Sequence, residues 1–347
     1  MLAYWLLFFA PVLPLLLSSR RTWSVPFTLP IIFLLSIFIG LRYQVGGDWY
    51  SYYFQFLGAS QTDFSTLGFT DIGYQLLNIL FSASIDGYIW VNFFCALIFS
   101  SGLLFFCRKQ PLPWLAFLLS IPYLVTVVSL GYTRQSVAIG FLMLGFTYLQ
   151  ERRLTPFILL LLAGSLFHTT VLFMAILCLP LFRTNNPFQR LFQLALVSIS
   201  IYAIGQAFFA SRVERLFLGY IVNEYSSQGA YIRCALNFLP SILVLLFPKS
   251  LHLTYSERTI WKTVSILSLL CTLLLFLFPS NSTAIDRIAL YFIPVQLAIL
   301  SRVPYLFARP HTYIILLLIA INALILFVWL NFANNAFAWL PYQNVLF

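Results

Sequence analysis

The stretch IIFLLSIFIG, residues 31–40, is an uninterrupted apolar run, and LRYQVGGDWYSYY, residues 41–53, follows it directly. The ten apolar residues predict the end of a helix that lies within a lipid bilayer. A cation, a Gly-Gly pair, an anion and several aromatic rings then crowd against that helix end. An apolar run followed directly by charged and aromatic residues predicts a membrane protein with a charged site where its helices end.

Composition extends this pattern to the whole chain of 347 residues. Hydrophobic residues make up 61% of it, charged residues only 8%, and the mean hydropathy is +0.94, which excludes an ordinary soluble domain. We therefore predict an all-α, polytopic helical bundle in a single integral-membrane domain, residues 1–347. The twelve predicted transmembrane segments are residues 2–17, 24–41, 88–106, 114–130, 133–149, 155–168, 168–182, 191–209, 231–247, 261–279, 285–301 and 312–331.

Basic residues cluster in alternate loops between these segments. The positive-inside rule places the larger set in the cytoplasm and both chain termini outside. The net charge of +10 is then a signal of topology, and nucleic-acid binding is not expected. The larger set holds 13 of the 19 Lys and Arg residues: Arg20, Arg21, Arg108, Lys109, Arg152, Arg153, Arg183, Arg190, Lys249, Arg258, Lys262, Arg302 and Arg309. The smaller set is Arg42, Arg134, Arg212, Arg215, Arg233 and Arg287.

Three stretches depart from simple spans. Residues 42–87 are predicted to form a long outer loop with two amphipathic stretches. Residues 210–230 are predicted to form a second outer element with a short amphipathic helix. Residues 155–182 are too long for one span, and a single helix there would invert every later basic cluster. Two short helices that meet near His168 preserve the charge pattern, so His168 should lie at membrane depth beneath a water-filled outer cavity.

Several charged residues gather at the predicted outer helix ends. Ionisable groups at membrane depth are costly and are usually paired or functional. Arginines at helix ends often extend to the lipid interface, which accounts for Arg212 and Arg215 but fits Arg134 and Arg287 poorly. The residues at the outer ends are Arg42, Asp48, Arg134, His168, Arg233, Asp286 and Arg287.

The chemistry of these side chains points to an anionic sugar-phosphate ligand. A guanidinium fork matches phosphate oxygens two at a time, and the helix start near Arg287 is expected to add free N–H groups. Gly46 and Gly47 would let the loop turn sharply beside a ligand. Nearby aromatic residues that suit sugar stacking include Tyr53, Tyr132 and Tyr291.

Neither a metal site nor a cofactor is expected. No carboxylate pair lies at ligand spacing, and no nucleotide-binding motif occurs. All five cysteines fall within or at the ends of apolar segments, so we predict buried small hydrophobic residues without a disulfide framework.

Four blocks of this sequence carry a family resemblance. LRYQVGGDWYSYY resembles the Arg…Val/Ile-Gly-x-Asp-x-x-x-Tyr signature of the EpsG-like branch of bacterial Wzy-type polysaccharide polymerases. The segment from YTRQSVAIG to LFHTTVLFM, residues 132–174, is similar to the family's Arg-Gln-x-x-Ala and Phe-His-x-(Ser/Thr) blocks. IDRIALYFIPVQ, residues 285–296, and WLPYQN, residues 339–344, are similar to its C-terminal blocks.

The resemblance implies a glycosyltransferase of the inner membrane with a GT-C-like bundle and an active site on the outer face. Such an enzyme transfers a glycan from undecaprenyl pyrophosphate onto a lipid-linked repeat unit. Its implied partners are undecaprenyl-pyrophosphate-linked glycans, membrane lipid and a chain-length regulator protein. The product class stays open among O-antigen, capsule and exopolysaccharide.

Roles for individual residues combine this resemblance with their chemistry. Arg134 and Arg287 would stabilise charge on the leaving pyrophosphate without a metal ion, assisted by Arg42 and Arg233. Asp48 and His168 are alternative proton acceptors for the attacking hydroxyl. Binding roles are expected for Gly46, Gly47, Tyr53, Tyr132 and Tyr291.

A lipid-linked oligosaccharide flippase is the main alternative. A transporter should carry internal repeats with helices broken at the bilayer midplane, and no repeat is evident in the sequence. A membrane-bound acyltransferase fits less well, because its usual companion histidine or arginine signatures near a cytoplasmic entry are missing. An intramembrane serine protease is weaker still, because Ser165 and His168 have no partner arrangement.

Overall fold

The computed structural model describes residues 1–17, 23–59, 71–181, 187–218, 229–306 and 312–346. These ranges are mostly helical, and an isolated bridge between Arg42 and Asn344 is the one β-type pairing within them. The α-helices are α1 (Leu2–Phe9), α2 (Val12–Leu17), α3 (Val25–Gly40), α4 (Trp49–Ala59), α5 (Ile72–Phe81), α6 (Gly87–Arg108), α7 (Pro113–Ser120), α8 (Thr133–Gln150), α9 (Leu154–Ser165), α10 (Pro187–Leu218), α11 (Gly229–Leu246), α12 (Tyr255–Leu277), α13 (Ser282–Ala289), α14 (Pro294–Leu300) and α15 (Thr312–Phe332). A π-helix spans Ile121–Ser129, and 3₁₀ helices span Thr169–Leu181, Pro279–Asn281, Leu290–Phe292, Val303–Tyr305 and Ala336–Ala338.

The all-α class predicted from composition is confirmed, and a helical element lies at each of the twelve predicted segments. Within the described ranges, six stretches are long and apolar enough to cross a membrane: Gly87–Arg108, Phe188–Gln206, Gly229–Leu246, Tyr255–Leu277, Pro279–Tyr305 and Thr312–Phe332. Shorter apolar helices lie at Leu2–Leu17, Val25–Gly40, Ile72–Phe81, Pro113–Ser129, Leu154–Ser165 and Thr169–Pro180. The protein is therefore embedded in a membrane, while twelve complete crossings and a GT-C arrangement stay predictions.

Close packing of α6 against α3 and α8 forms the centre of the bundle. A Cβ atom added to Gly102 would lie 1.9 Å from the carbonyl oxygen of Gly140, so only glycine lets these two backbones approach this closely. All five cysteines are buried, as the sequence predicted.

The segment that surrounds His168 folds as two short helical pieces. Helix α9 ends at Ser165 and the 3₁₀ helix begins at Thr169, which confirms the predicted break. The 12 residues of α9 extend about 18 Å at 1.5 Å per residue, well short of a bilayer core of about 30 Å. The backbone N–H groups of Phe167 and His168 both donate to the carbonyl oxygen of Gly164, at 3.0 Å, and these bonds end the helix.

Two predicted segments differ in detail from the helices of the structure. Helix α10 continues to Leu218, into residues 210–230, and the outer element predicted there stays a prediction. The side chains of Arg212 and Arg215, and residues 219–228, lie outside the described residues. The helix expected at 285–301 is broken at Leu290–Phe292, where Pro294 begins α14 and has no N–H group to continue the helix before it.

Both amphipathic stretches predicted in the 42–87 loop are helices, α4 and α5. Between them, residues 60–70 lie outside the described residues. A hydrogen bond of 2.7 Å from the Gly73 N–H group to the Leu166 carbonyl oxygen joins the start of α5 to the end of α9. This contact brings the distal half of the loop to the His168 turn.

Contacts between side chains sort the charged residues into two groups. Helix α6 has 22 residues, so its length would separate the two groups by about 33 Å. This grouping matches the two sets of loops derived from the sequence, and which end faces the cytoplasm stays a prediction. One group contains Lys109–Glu151, Arg152–Ser256, Arg302–Gln110 and Arg302–Glu257, and the other contains Arg42–Thr133, Arg134–Asp71 and Arg233–Asp286.

Candidate functional site

All four sequence blocks meet at one end of the bundle. Arg42 donates a hydrogen bond of 2.8 Å to the hydroxyl of Thr133, and Gln135 donates one of 2.6 Å to the carbonyl oxygen of Arg287. The N–H group of Tyr43 donates to the carbonyl oxygen of Gln343 at 3.0 Å. Residues far apart in the chain therefore share one layer.

Arg42 holds the loop that opens this site. Its guanidinium nitrogens donate to the carbonyl oxygens of Ile39 (2.8 Å) and Val45 (3.1 Å) and to Thr133, and its side chain is buried. These contacts give Arg42 a structural role that the sequence did not indicate. Its expected role in substrate binding stays a prediction.

The two glycines of the loop differ in what they tolerate. Gly46 has φ +110°, and a Cβ atom there would lie 1.9 Å from the carbonyl oxygen of Leu130. At Gly47 a Cβ atom would meet only the ring of Trp339, at 3.5 Å. Gly46 therefore makes the turn on which the position of Asp48 depends.

Residues at the C-terminal block contact this loop and hold it in place. The N–H group of Gly46 donates to the carbonyl oxygen of Ala338 at 2.8 Å, and Trp339 packs against Gly131. The indole N–H of Trp339 donates at 2.7 Å to the carbonyl oxygen of Thr126, inside the π-helix. Residues 338–344 therefore hold the turn before α8 in place.

Arg134 forms the most accessible ion pair of this layer. Its guanidinium lies 2.5 Å from the carboxylate of Asp71 and 5.5 Å from the centre of the Tyr52 ring. The Arg134 side chain is 33% exposed and that of Asp71 17%. A ligand phosphate can therefore reach this guanidinium while Asp71 holds it from one side.

Asp48 directly precedes α4 and is half-buried. Its charge acts on Tyr52, which also interacts with Arg134, so Asp48 and Arg134 both lie near the Tyr52 phenol. Tyr53 stacks on Trp49 at a ring distance of 5.2 Å and meets the edge of Tyr88 at 5.4 Å. The Tyr53 ring is thus part of an aromatic cluster that supports α4.

His168 joins a three-membered hydrogen-bonding cluster. Its Nδ1 atom lies 2.6 Å from the hydroxyl of Thr170 and 2.9 Å from that of Tyr291, and the two hydroxyls lie 2.8 Å apart. Electrostatic interactions from Arg134 and Arg287 both reach His168, and both also reach Asp71. The expected catalytic residues Arg134, His168 and Arg287 thus lie in one neighbourhood.

Arg233 is buried, as Arg42 is, whereas Arg134 and Arg287 are partly exposed. It forms an ion pair with Asp286, and the two side chains are only 4% and 10% exposed. The rings of Tyr123 and Tyr132 flank its guanidinium, each with its centre 5.9 Å away. This geometry stabilises a buried charge, and the expected contact of Arg233 and Tyr132 with substrate stays a prediction.

Arg287 differs from the expectation of a helix start. It lies in the last turn of α13, which begins at Ser282, five residues before Arg287. Arg287 is half-buried, and its backbone carbonyl receives the bond from Gln135.

Sequence reasoning missed three residues of this layer. Asp71 opens the second amphipathic stretch of the outer loop, and its charge so close to an apolar run was a usable signal. Thr170 occupies the Ser/Thr position of the Phe-His-x-(Ser/Thr) block, and Gln135 the Gln position of the Arg-Gln block. In the described part of the chain, no three His, Cys, Asp or Glu side chains gather as a metal site requires.

Comparisons with known proteins agree with the four blocks. Searches of curated proteins and of solved structures return no match. The model of the EpsG family matches residues 26–344, which include every block described above. The chain belongs to the EpsG family.

Proposed function

We propose that this protein is a polysaccharide polymerase of the cytoplasmic membrane. It transfers a glycan from undecaprenyl pyrophosphate onto the non-reducing end of a lipid-linked repeat unit at the outer face. Membership of the EpsG family and a membrane-embedded bundle support this proposal. Its partners are then the lipid-linked glycans, the surrounding lipid and a chain-length regulator protein.

The observation that carries the proposal is the joint position of Arg134, Arg287 and His168 in the layer where the four blocks meet. Transfer breaks the bond between the anomeric carbon and the phosphate oxygen, whose electron pair stays on the pyrophosphate. Guanidinium groups fixed beside that oxygen stabilise the added charge before the reaction begins. Arginines in a low-dielectric site supply this without a metal ion.

The acceptor sugar forms the new bond through one hydroxyl oxygen and loses its proton. Two groups of the candidate site have side chains that can accept this proton, Asp48 and His168. Tyr53 offers aromatic surface beside them, whereas Tyr291, for which a sugar contact was expected, is fully buried. We place Arg42 and Gly46 in the loop that positions Asp48.

The test uses purified protein in proteoliposomes with an undecaprenyl-pyrophosphate-linked repeat unit. A ladder of longer lipid-linked glycans is expected. A parallel assay follows movement of the same lipid between leaflets. Movement without a ladder would support the flippase alternative, and neither product with intact substrate would overturn the polymerase.

A further inference from the structure

The cluster of His168, Thr170 and Tyr291 determines which ring nitrogen of the histidine carries a proton. We propose that Thr170 and Tyr291 hold Nδ1 of His168 as a hydrogen-bond acceptor, so that Nε2–H is a fixed donor for a phosphate oxygen. This inference rests on the proposed polymerase function. It removes His168 from the role of proton acceptor.

Counting protons in the cluster leads to this tautomer. The two hydroxyls supply two protons, and the three polar atoms lie 2.6, 2.8 and 2.9 Å from one another. If Nδ1 accepts, each hydroxyl proton has an acceptor inside the cluster. If Nδ1 carries a proton, it cannot accept, and the two hydroxyls cannot both donate inside the cluster because they cannot donate to each other at the same time.

Burial of the two hydroxyls turns this difference in hydrogen bonding into a difference in free energy between the tautomers. Tyr291 is fully buried and Thr170 is 6% exposed, so water is not a ready substitute for the missing acceptor. Leaving a buried donor unsatisfied lowers the population of that tautomer about ten-fold or more. The bond that one ring nitrogen makes thereby decides the state of the other.

Burial and, in addition, neighbouring charges disfavour the remaining form of the ring. A positive imidazolium would be repelled by Arg134 and Arg287, both of which interact with His168. The ring is therefore neutral, with its proton on Nε2. Nε2 makes no hydrogen bond within the described part of the chain, and His168 is partly exposed, so a ligand can meet this N–H.

In the transfer step, Nε2–H donates a hydrogen bond to a pyrophosphate oxygen as the anomeric C–O bond breaks. The proton remains on Nε2, and the electron pair of the broken bond remains on the leaving phosphate. The acceptor hydroxyl gives its proton to the carboxylate of Asp48. Thr170 and Tyr291 touch neither substrate in this scheme and act as positioning residues.

Substitutions of His168 distinguish a role as hydrogen-bond donor from a role as proton acceptor. A glutamine amide N–H can replace the Nε2–H group but cannot take a proton at neutral pH. We expect His168→Gln to keep at least about one-tenth of the wild-type kcat for lipid-linked repeat addition, and His168→Ala to lose about 10²–10³-fold. Equal loss in both variants, or full activity in both, would overturn the inference.

Tyr291 supplies a second, independent test. Tyr291→Phe removes one proton donor to Nδ1 and should lower kcat about ten-fold in the wild-type background, with KM nearly unchanged. In the His168→Gln background it should cost less than about three-fold, because an amide has no tautomer to fix. Equal cost in both backgrounds would show a merely structural role and contradict the proposal.

Wild-type protein in the same proteoliposomes distinguishes this inference from the function on which it rests. No ladder from wild-type protein means that the polymerase proposal fails. A wild-type ladder with inactive His168→Gln, at normal expression and a single size-exclusion peak, means that the tautomer inference alone fails.

Discussion

The guanidinium of Arg134 lies 2.5 Å from the carboxylate of Asp71, although 63 positions separate the two residues in the chain. This pair joins the outer loop to the first turn of α8. Because both side chains are partly exposed, an incoming phosphate can share the guanidinium without leaving Asp71 unpaired. The position of the 42–87 loop, which carries Asp71, therefore affects where the Arg134 charge lies relative to a leaving phosphate.

Replacement of Arg134 tests that charge directly. Arg134→Ala should lower polymerisation about 10²–10³-fold at unchanged expression, since one lost charge-stabilising group typically costs that much. Arg134→Lys should recover only part, because an ammonium lacks the two-pronged contact. Lys109→Ala, which removes an exposed ion pair in the other charged group, is the matched control and should be silent. Normal glycan lengths in Arg134→Ala would remove Arg134 from the site.

Asp71 should act through Arg134. Asp71→Asn is expected to lower kcat about ten-fold, because the guanidinium loses the carboxylate that orients it. The double variant Asp71→Asn/Arg134→Ala should then be no worse than Arg134→Ala alone. Glu151→Gln, which weakens the exposed pair with Lys109, serves as control. Additive losses in the double variant would mean that Asp71 has a separate role.

Asp48 is tested by an isosteric change. Asp48→Asn keeps the shape and the capping hydrogen bonds but cannot take a proton, so polymerisation should fall while lipid-linked substrate still binds. Asp48→Glu should keep a little activity. Radiolabelled substrate binding and ladder formation are measured on the same preparations. A fully active Asn variant would leave this loop as scaffold.

The two adjacent glycines form a matched pair. Gly46→Ala should strongly reduce activity, since its Cβ atom would meet the Leu130 carbonyl and φ +110° is strained for alanine. Gly47→Ala should be nearly silent, because its Cβ atom makes only ordinary contact with Trp339. Ladder formation and thermal melting of both variants decide the matter. Equal effects would contradict a special role for the Gly46 turn.

Topology is measured by labelling of single cysteines in whole cells. Tyr43→Cys, at an exposed position, should react with an impermeant thiol reagent from outside, and Arg152→Cys should not. All five native cysteines are buried, so the background should be low. Labelling at position 152 from outside would overturn the orientation derived from the basic loops.

Hydropathy and charge determined the fold class and the helical segments, because whether a residue prefers lipid or water is a local property. The break near His168 followed from the same local data, since only two short helices kept the basic loops on one side. Hydropathy and charge did not predict the interruption at Leu290–Phe292 or the extension of α10 to Leu218. The interruption has a local cause in Pro294, whose missing N–H group ends the helix before it.

The sequence by itself determined that charged and aromatic residues gather at one set of helix ends, together with the family to which the chain belongs. Only the tertiary structure decided which of these residues pair: Arg134 with Asp71, Arg233 with Asp286, and His168 with Thr170 and Tyr291. The physical reason is that these contacts, apart from the local one between His168 and Thr170, join residues tens to more than one hundred positions apart. Their distances depend on the packing of whole helices, which no local pattern of residues specifies.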